Sequence, residues 1–387
     1  METTATQTGS EVVVDLGAVR DNVAAVRATV GAAEVMAVVK ADAYGHGALP
    51  AARAALDGGA TSLGVATVAE ALALRAGGIE APVLAWLLIP GDDLTVAVAA
   101  DVELSVAAPW SLAAVVAAAR ALGRPARVHL ELDTGMSRGG VADPDRPAML
   151  AELSRAVAEG AVRLVGTWAH LASSDVPADP ANARQLAAFA DAVVELRGAG
   201  LDPGRLHHAN SAAALLLPGS RFDLVRVGLA CWGLSPAPQL ATSTELGLRP
   251  AMTLRSRLAH VRRVPAGTGV SYGLTWSTPR ATTLGLVPLG YGDGIPRHAS
   301  RPSPAGTAGG SVLVAGARRP VTGRICMDQF VVDLGGEEPE VGSEVVVFGD
   351  GHDGAPTAQD WAEAAGTISY EIVTRIAGPR VPRRHRW

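Results

Sequence analysis

Lysine is all but missing from this chain. Of 33 strong bases in 387 residues, Lys40 alone is not an arginine. Cysteine is nearly as scarce: Cys231 and Cys326 have no metal-ligand spacing, so a disulfide framework and a cysteine metal site are both excluded. That usage fits a reducing, cytoplasmic compartment. No uncharged apolar run reaches membrane-spanning length, and the apolar stretch 81–89 reads as a buried strand. The first ten residues lack the basic and apolar regions of a secretion signal and read as a disordered tail. A net charge of −5 with scattered arginines argues against a nucleic-acid partner.

What is present is an apolar fraction of 48%, ample for a large core. From residue 11 to about 245, short β-rich runs alternate with Ala-rich amphipathic stretches. The runs end near Lys40, Ala66, Leu88, Ala107, Asp133, Leu171, Asn210 and Trp232. The helical stretches are expected at 48–56, 68–76, 111–122, 149–158, 181–196 and 211–217, several closed by glycine. Eight such repeats point to an α/β fold, a (β/α)8 TIM barrel. An extra strand at 12–15 precedes them and is free to join another domain. From 246 to 387 the texture changes to Val- and Leu-rich runs at 253–264, 282–289, 311–314, 329–334 and 344–348, separated by Gly/Pro turns. This reads as a mostly β second domain, helical only at 358–363.

Lys40 ends the run VMAVVK and is followed by ADAYGHG. In a barrel the C-terminal strand ends carry the active face. A primary amine there can lose its proton and attack a carbonyl, which a guanidinium cannot do. An apolar setting lowers the amine's pKa and frees its lone pair. The four tyrosines, Tyr44, Tyr272, Tyr291 and Tyr370, all fall in Gly- or charge-flanked segments: KADAYGHG, VSYGLTW, LGYGDGIPR and TISYEI. Arg226 is a charge inside the apolar run LVRVG, where a guanidinium is costly unless paired. Ser211 stands before a helical run, where it reads equally as an N-cap or as part of an anion site. His207 and His208 are neighbours whose side chains point opposite ways along a strand, so a joint metal site is disfavoured and no metal is expected.

Taken together these segments resemble alanine racemases, the fold-type III enzymes that depend on pyridoxal 5′-phosphate (PLP). VVKADAYGHG is the cofactor-lysine motif of that family; ELDTGMSRGG, WAHLASSD, HHANSAA, FDLVRVGLACWGL, SYGLTW, GYGDGIPR and GRICMDQF support it along nearly the whole chain. The resemblance implies that Lys40 holds PLP and acts as one catalytic base, with Tyr272 from the partner subunit of a homodimer as the other. Two bases on opposite faces of the α-carbon let a proton leave one side and return on the other. By the same resemblance Tyr44, Ser211, Gly228, Leu229 and Tyr370 bind the cofactor phosphate, and His170 and Asn210 lie about the cofactor. Arg226 faces the pyridine nitrogen with His170 behind it. Because arginine keeps its proton, the pyridine stays unprotonated and is a weaker electron sink, which limits side transamination. Arg138 and the Met327 backbone take the substrate carboxylate, Asp328 supports the Met327 loop, and Tyr291 narrows the entrance. The implied role is supply of D-alanine for peptidoglycan.

One position departs from the family. Many members carry a carbamylated lysine two residues before the Asp-Thr-Gly turn, and this chain has Glu131 there. Glutamate supplies the same sign from a shorter side chain. It either orients Arg138 in the carbamate's stead or pairs with another arginine. Two other functions remain open on the sequence: a broad-specificity or pathway-dedicated racemase or epimerase of this fold, and a non-catalytic PLP- or inhibitor-binding protein, which the SYGLTW segment disfavours.

Overall fold

In a computed structural model of the chain the described residues are 9–302 and 306–387. The expected tail, 1–10, lies outside them except for its last two residues; of these Ser10 is buried and hydrogen-bonded to Ser256 at 2.8 Å. The chain divides into two compact units, one formed by Val19–Ala43 and Ala48–Leu248, the other by the segment up to Ala18, Tyr44–Gly47 and Arg249–Trp387.

The first unit is an eight-stranded parallel sheet. After the early strand β1 (Glu11–Asp15), its strands are β2 (Glu34–Val38), β3 (Ser62–Val65), β4 (Val83–Ala85), β5 (Glu103–Val106), β6 (Ala126–Glu131), β7 (Val162–Trp168), β8 (Arg205–His207) and β9 (Leu224–Val227). Each of β2 to β7 pairs with the next in sequence, and β9 returns to pair with β2. Backbone bonds beside the strand ends bring β8 and β9 together, from Asp223 N–H to Leu206 O (3.1 Å) and from Arg226 N–H to Ala209 O (2.9 Å). The result is the expected eight-stranded barrel. Strands β3, β4, β5 and β9 are buried at every position, as short apolar runs covered on both faces must be. Helices Ala48–Asp57, Val68–Ala76, Pro109–Leu122, Arg146–Ala158, Pro180–Gly198 and Ser211–Leu216 fall where the amphipathic stretches put them, joined by Leu16–Val30 and Leu94–Ala99.

The second unit is built on a nine-stranded sheet. The early strand β1 belongs to it, antiparallel to Met252–Arg257 and parallel to Arg383–Arg386. Two details differ from the sequence reading. The run 253–264 is not one strand: it breaks at Leu258, whose N–H bonds Ser343 O, while the next N–H, of Ala259, bonds Leu286 O. The halves therefore serve different neighbours, Met252–Arg257 pairing with Glu344–Phe348 and His260–Val264 with Thr282–Val287. The segment TISYEIVTR carries a second helix, Ser369–Arg375. Its β-branched residues have low helix propensity, but Ile372 and Val373 fall on one face and are both buried, and that packing overrides propensity.

Candidate active site

Lys40 lies two residues beyond β2, at the C-terminal end of the barrel strands. The backbone then makes a left-handed turn through Ala41, Asp42, Ala43 and Tyr44, with φ of 51°, 53°, 54° and 54°. Such geometry costs L-residues about 1–2 kcal/mol each. Specific bonds hold it. Ala41 N–H donates to Glu70 Oε1 (2.7 Å), Ala48 N–H to Asp42 Oδ1 (2.6 Å) and Ala43 N–H to Val39 O (2.9 Å). Glu70 is itself fixed by a capping box with Thr67 at the start of helix Val68–Ala76. The Lys40 ammonium lies 5.7 Å from the centre of the Trp86 ring. Burial, with the Arg138 guanidinium adding to it and Glu70 opposing, pushes the amine's pKa down.

Arg226, on β9, is buried, with acceptors at both terminal nitrogens. Nη1 donates to His207 O (2.7 Å) and His207 Nδ1 (3.2 Å). Nη2 donates to Ala169 O (2.8 Å), His208 O (3.2 Å) and His170 Nδ1 (3.3 Å). The centre of the Trp168 ring lies 4.6 Å from its Cζ. Among the described residues only its Nε–H is left without an acceptor. Burial lowers the Arg226 pKa to about 9, with Glu131 opposing. Burial likewise holds His170 and His207 well below the ordinary histidine value and His208 at about 3, so all three are neutral near pH 7.

Glu131 ends β6 and makes no ion pair or hydrogen bond with either neighbouring arginine among the described residues. Burial raises its carboxyl to about 7, against the pull of Arg226 and then Arg138. Ser211 is not the cap of its helix. Asn210 is, its Oδ1 accepting from Ala213 N–H (3.1 Å) and Ser174 Oγ (2.8 Å). The Ser211 hydroxyl is thereby released to accept from Gly228 N–H at 3.0 Å, with Ala230 N–H at 3.5 Å. This gathers Ser211, Gly228 and Leu229 at the end of β9.

In the second unit Tyr44 and Tyr370 meet with ring centres 6.2 Å apart. Tyr291 and Met327 also meet. Tyr291 N–H donates to Cys326 O (3.0 Å) and Gly292 N–H to Met327 O (2.9 Å). A side chain at Gly290 would lie 2.2 Å from Met327 O, so the contact requires glycine there. Arg380 ties Asp328 (3.3 Å) to the buried Asp293. Tyr272 stands on a short turn, Tyr272–Leu274, and is 70% exposed. Ser271, which precedes it, donates to Arg324 O at 2.5 Å. Lys40, Glu131, Arg138, His170, Asn210, Ser211, Arg226, Gly228 and Leu229 thus belong to the barrel unit, and Tyr44, Tyr272, Tyr291, Met327, Asp328 and Tyr370 to the other.

Comparison with known proteins agrees along the chain. Residues 14–236 match the N-terminal domain of alanine racemase and 251–385 its C-terminal domain. The chain belongs to the alanine racemase family. It is 52% identical to the alanine racemase of Frankia casuarinae, over 96% of this chain and 95% of that one, and 54% identical to that of Streptomyces coelicolor, over 96% and 94%. The crystal structure of the alanine racemase from Streptomyces lavendulae superposes with a TM-score of 0.95 at 51% identity, covering 99% of this chain and 98% of that one.

The family's dependence on PLP can be tested against the residues present. A half-buried amine of lowered pKa suits an aldehyde. The Ser211 hydroxyl with the amides about Gly228 suits a phosphate. The one unengaged N–H of Arg226 suits an aromatic nitrogen. The donor set fits the group. Four contributors to this neighbourhood escaped the sequence reading: Trp86, Trp168, Glu103 and His129. The last two are polar residues inside apolar strands, the same signal that singled out Arg226.

Proposed function

We propose that this chain interconverts L- and D-alanine with pyridoxal 5′-phosphate, as a cytoplasmic homodimer, and so supplies D-alanine for peptidoglycan. The carrying observation is the placement of the chain's one side-chain amine at the barrel's strand ends, its pKa lowered, beside Trp86 and under the influence of Arg138. PLP bound there supplies an electron sink for the negative charge left when the α-proton departs. Lys40 holds the cofactor and moves the proton on one face of the α-carbon. Tyr272 of the partner subunit moves it on the other; its exposure in a single chain accords with such loan. Arg226 presents Nε–H to the pyridine nitrogen and keeps its proton. Ser211, the amides of Gly228 and Leu229, Tyr44 and Tyr370 hold the phosphate, and Asn210 fixes the helix that carries Ser211. Arg138 grips the substrate carboxylate with its planar fork, Met327 adds a backbone contact, Asp328 steadies that loop, and Tyr291 limits side-chain size. Glu131, when ionised, supplies the negative field that orients Arg138.

Borohydride trapping followed by peptide mapping tests the first step, with label expected on Lys40. Solvent-deuterium exchange at the α-carbon of alanine tests the second. A protein that binds PLP yet leaves alanine unexchanged would refute the reading.

A further inference from the structure

A buried chain of polar side chains crosses the barrel interior behind Arg226. His207 Nδ1 faces Arg226 Nη1 at 3.2 Å, His207 Nε2 faces His129 Nδ1 at 2.9 Å, and His129 Nε2 faces Glu103 Oε2 at 2.9 Å. All four residues are at most 5% exposed. The chain has only one consistent direction. A guanidinium has no acceptor, so His207 Nδ1 must accept, which puts its proton on Nε2. That N–H then donates to His129 Nδ1, and the remaining His129 proton, on Nε2, is donated to the carboxylate. Burial, the leading cause, pushes both histidines down, so each is neutral and carries one proton. At the far end Glu103 is held by Arg127, with Arg205 at 3.6 Å, and its own pKa falls to about 2.

The fold makes room for this chain at one glycine. A Cβ at Gly166, on β7, would lie 2.3 Å from His129 Nδ1 and 3.0 Å from the backbone oxygen of Arg205. The two imidazoles can meet only because β7 lacks a side chain there.

We propose that Glu103 is a positioning residue for Arg226: through His129 and His207 it orients the guanidinium and keeps it a donor toward the cofactor. The purpose is directional. The carboxylate fixes both tautomers, the tautomers present an acceptor to Nη1, and the carbonyls of residues 169, 207 and 208 occupy the rest, leaving Nε–H as the free donor. An acceptor chain ending in a buried anion also favours the charged guanidinium over proton loss. The inference rests on the reading that Arg226 faces the pyridine nitrogen, and the test separates the two.

Long-range proton–nitrogen correlation spectra of the 15N-labelled apo-protein should show His129 and His207 each protonated at Nε2 only, and unchanged between about pH 6 and 8. An Nδ1–H signal from either, or titration in that range, would overturn the chain. In the holoenzyme, Glu103→Gln removes the anion and Gly166→Ala parts the imidazoles. Each should lower kcat about tenfold with KM for alanine within about twofold, and each should shift the visible absorption of the bound cofactor. Unchanged kcat and absorption in Glu103→Gln would overturn the positioning role. Should Gly166→Ala fail to fold, Glu103→Gln carries the test alone. If the apo spectra are as expected but Arg226→Lys leaves the cofactor spectrum untouched, the hydrogen-bond chain stands and the placement of Arg226 at the cofactor falls.

Discussion

The two units solve opposite problems. In the barrel the polar groups about Arg226 are buried among one another. Arg226 has an acceptor for every terminal N–H, Glu103 is saturated by His129 and two arginines, and the turn after Lys40 is pinned by Glu70. In the β-rich unit Tyr272 is 70% exposed, Met327 54% and Tyr291 39%. These stand on short turns fixed by backbone contacts. A buried polar group must be paired or it costs stability, so the barrel gains preorganisation by building closed networks. An exposed side chain on a rigid turn carries no such obligation and stays available to another molecule. Chemistry that depends on charge is thus set in one unit, and a group that must meet a partner is displayed on the other.

Four substitutions would break or sharpen this contrast, beginning with the most damaging. Lys40→Ala should abolish racemisation by about 10⁴-fold or more, since base and cofactor anchor are lost together, and no other lysine exists to substitute. Borohydride should then label no lysine peptide. Tyr272→Phe should cost about 10²–10⁴-fold in kcat while thermal stability stays within about 0.5 kcal/mol, because a hydroxyl alone is lost and the ring is kept. A 1:1 mixture of Lys40→Ala and Tyr272→Phe chains, after subunit exchange, should recover about a quarter of wild-type activity if each site takes one base from each subunit. Recovery indistinguishable from either parent would place both bases in one chain.

Arg226→Met should behave in the opposite way to Tyr272→Phe. It deprives five acceptors of their donors, and removing one partner of such a buried network typically costs about 3–5 kcal/mol. A denaturant midpoint close to wild type would show the network to be dispensable for folding.

Glu131→Gln makes the subtlest test. The Glu131 carboxyl is raised to about 7 in the fold against an ordinary value of 4.5. A raised pKa means stability is greatest below about pH 4.5 and is lost as pH climbs through 7, because the fold must then hold a desolvated anion. The glutamine variant should match wild type at pH 5 and exceed it by about 1–3 kcal/mol at pH 8 in apo-protein denaturation. Glu103 runs the other way: lowered to about 2, it stabilises above about pH 4.5 and ceases to do so as pH falls toward 2. If Glu131 orients Arg138, the same glutamine variant should weaken substrate affinity or turnover, and wild-type values of both would assign it another task.

Much of the architecture was readable in order along the chain. Eight apolar runs punctuated by Ala-rich helices gave the barrel, because the strands are largely buried, four of them at every position, and each helix is buried on one face. The helix at Ser369–Arg375 was not readable, since its β-branched residues favour a strand until the burial of Ile372 and Val373 decides otherwise. Ser211 was ambiguous between cap and ligand. The adjacent Asn210 took the cap, and no local signal ranks two competent capping residues side by side. Glu103 and His129 carried the signal of charge within an apolar strand, but a strand sequence does not reveal which neighbour lies across the barrel.

Sequence alone determined the covalent possibilities: one side-chain amine, placed after an apolar strand, among motifs that name its chemistry. Composition and order suffice for that because an amine's reactivity belongs to its own atoms. Only the tertiary structure decided which proton sits on which imidazole, which N–H of Arg226 is left over, and why β7 must carry glycine at 166. Those depend on distances between residues far apart in the chain, and such distances exist only once parallel strands have closed in register.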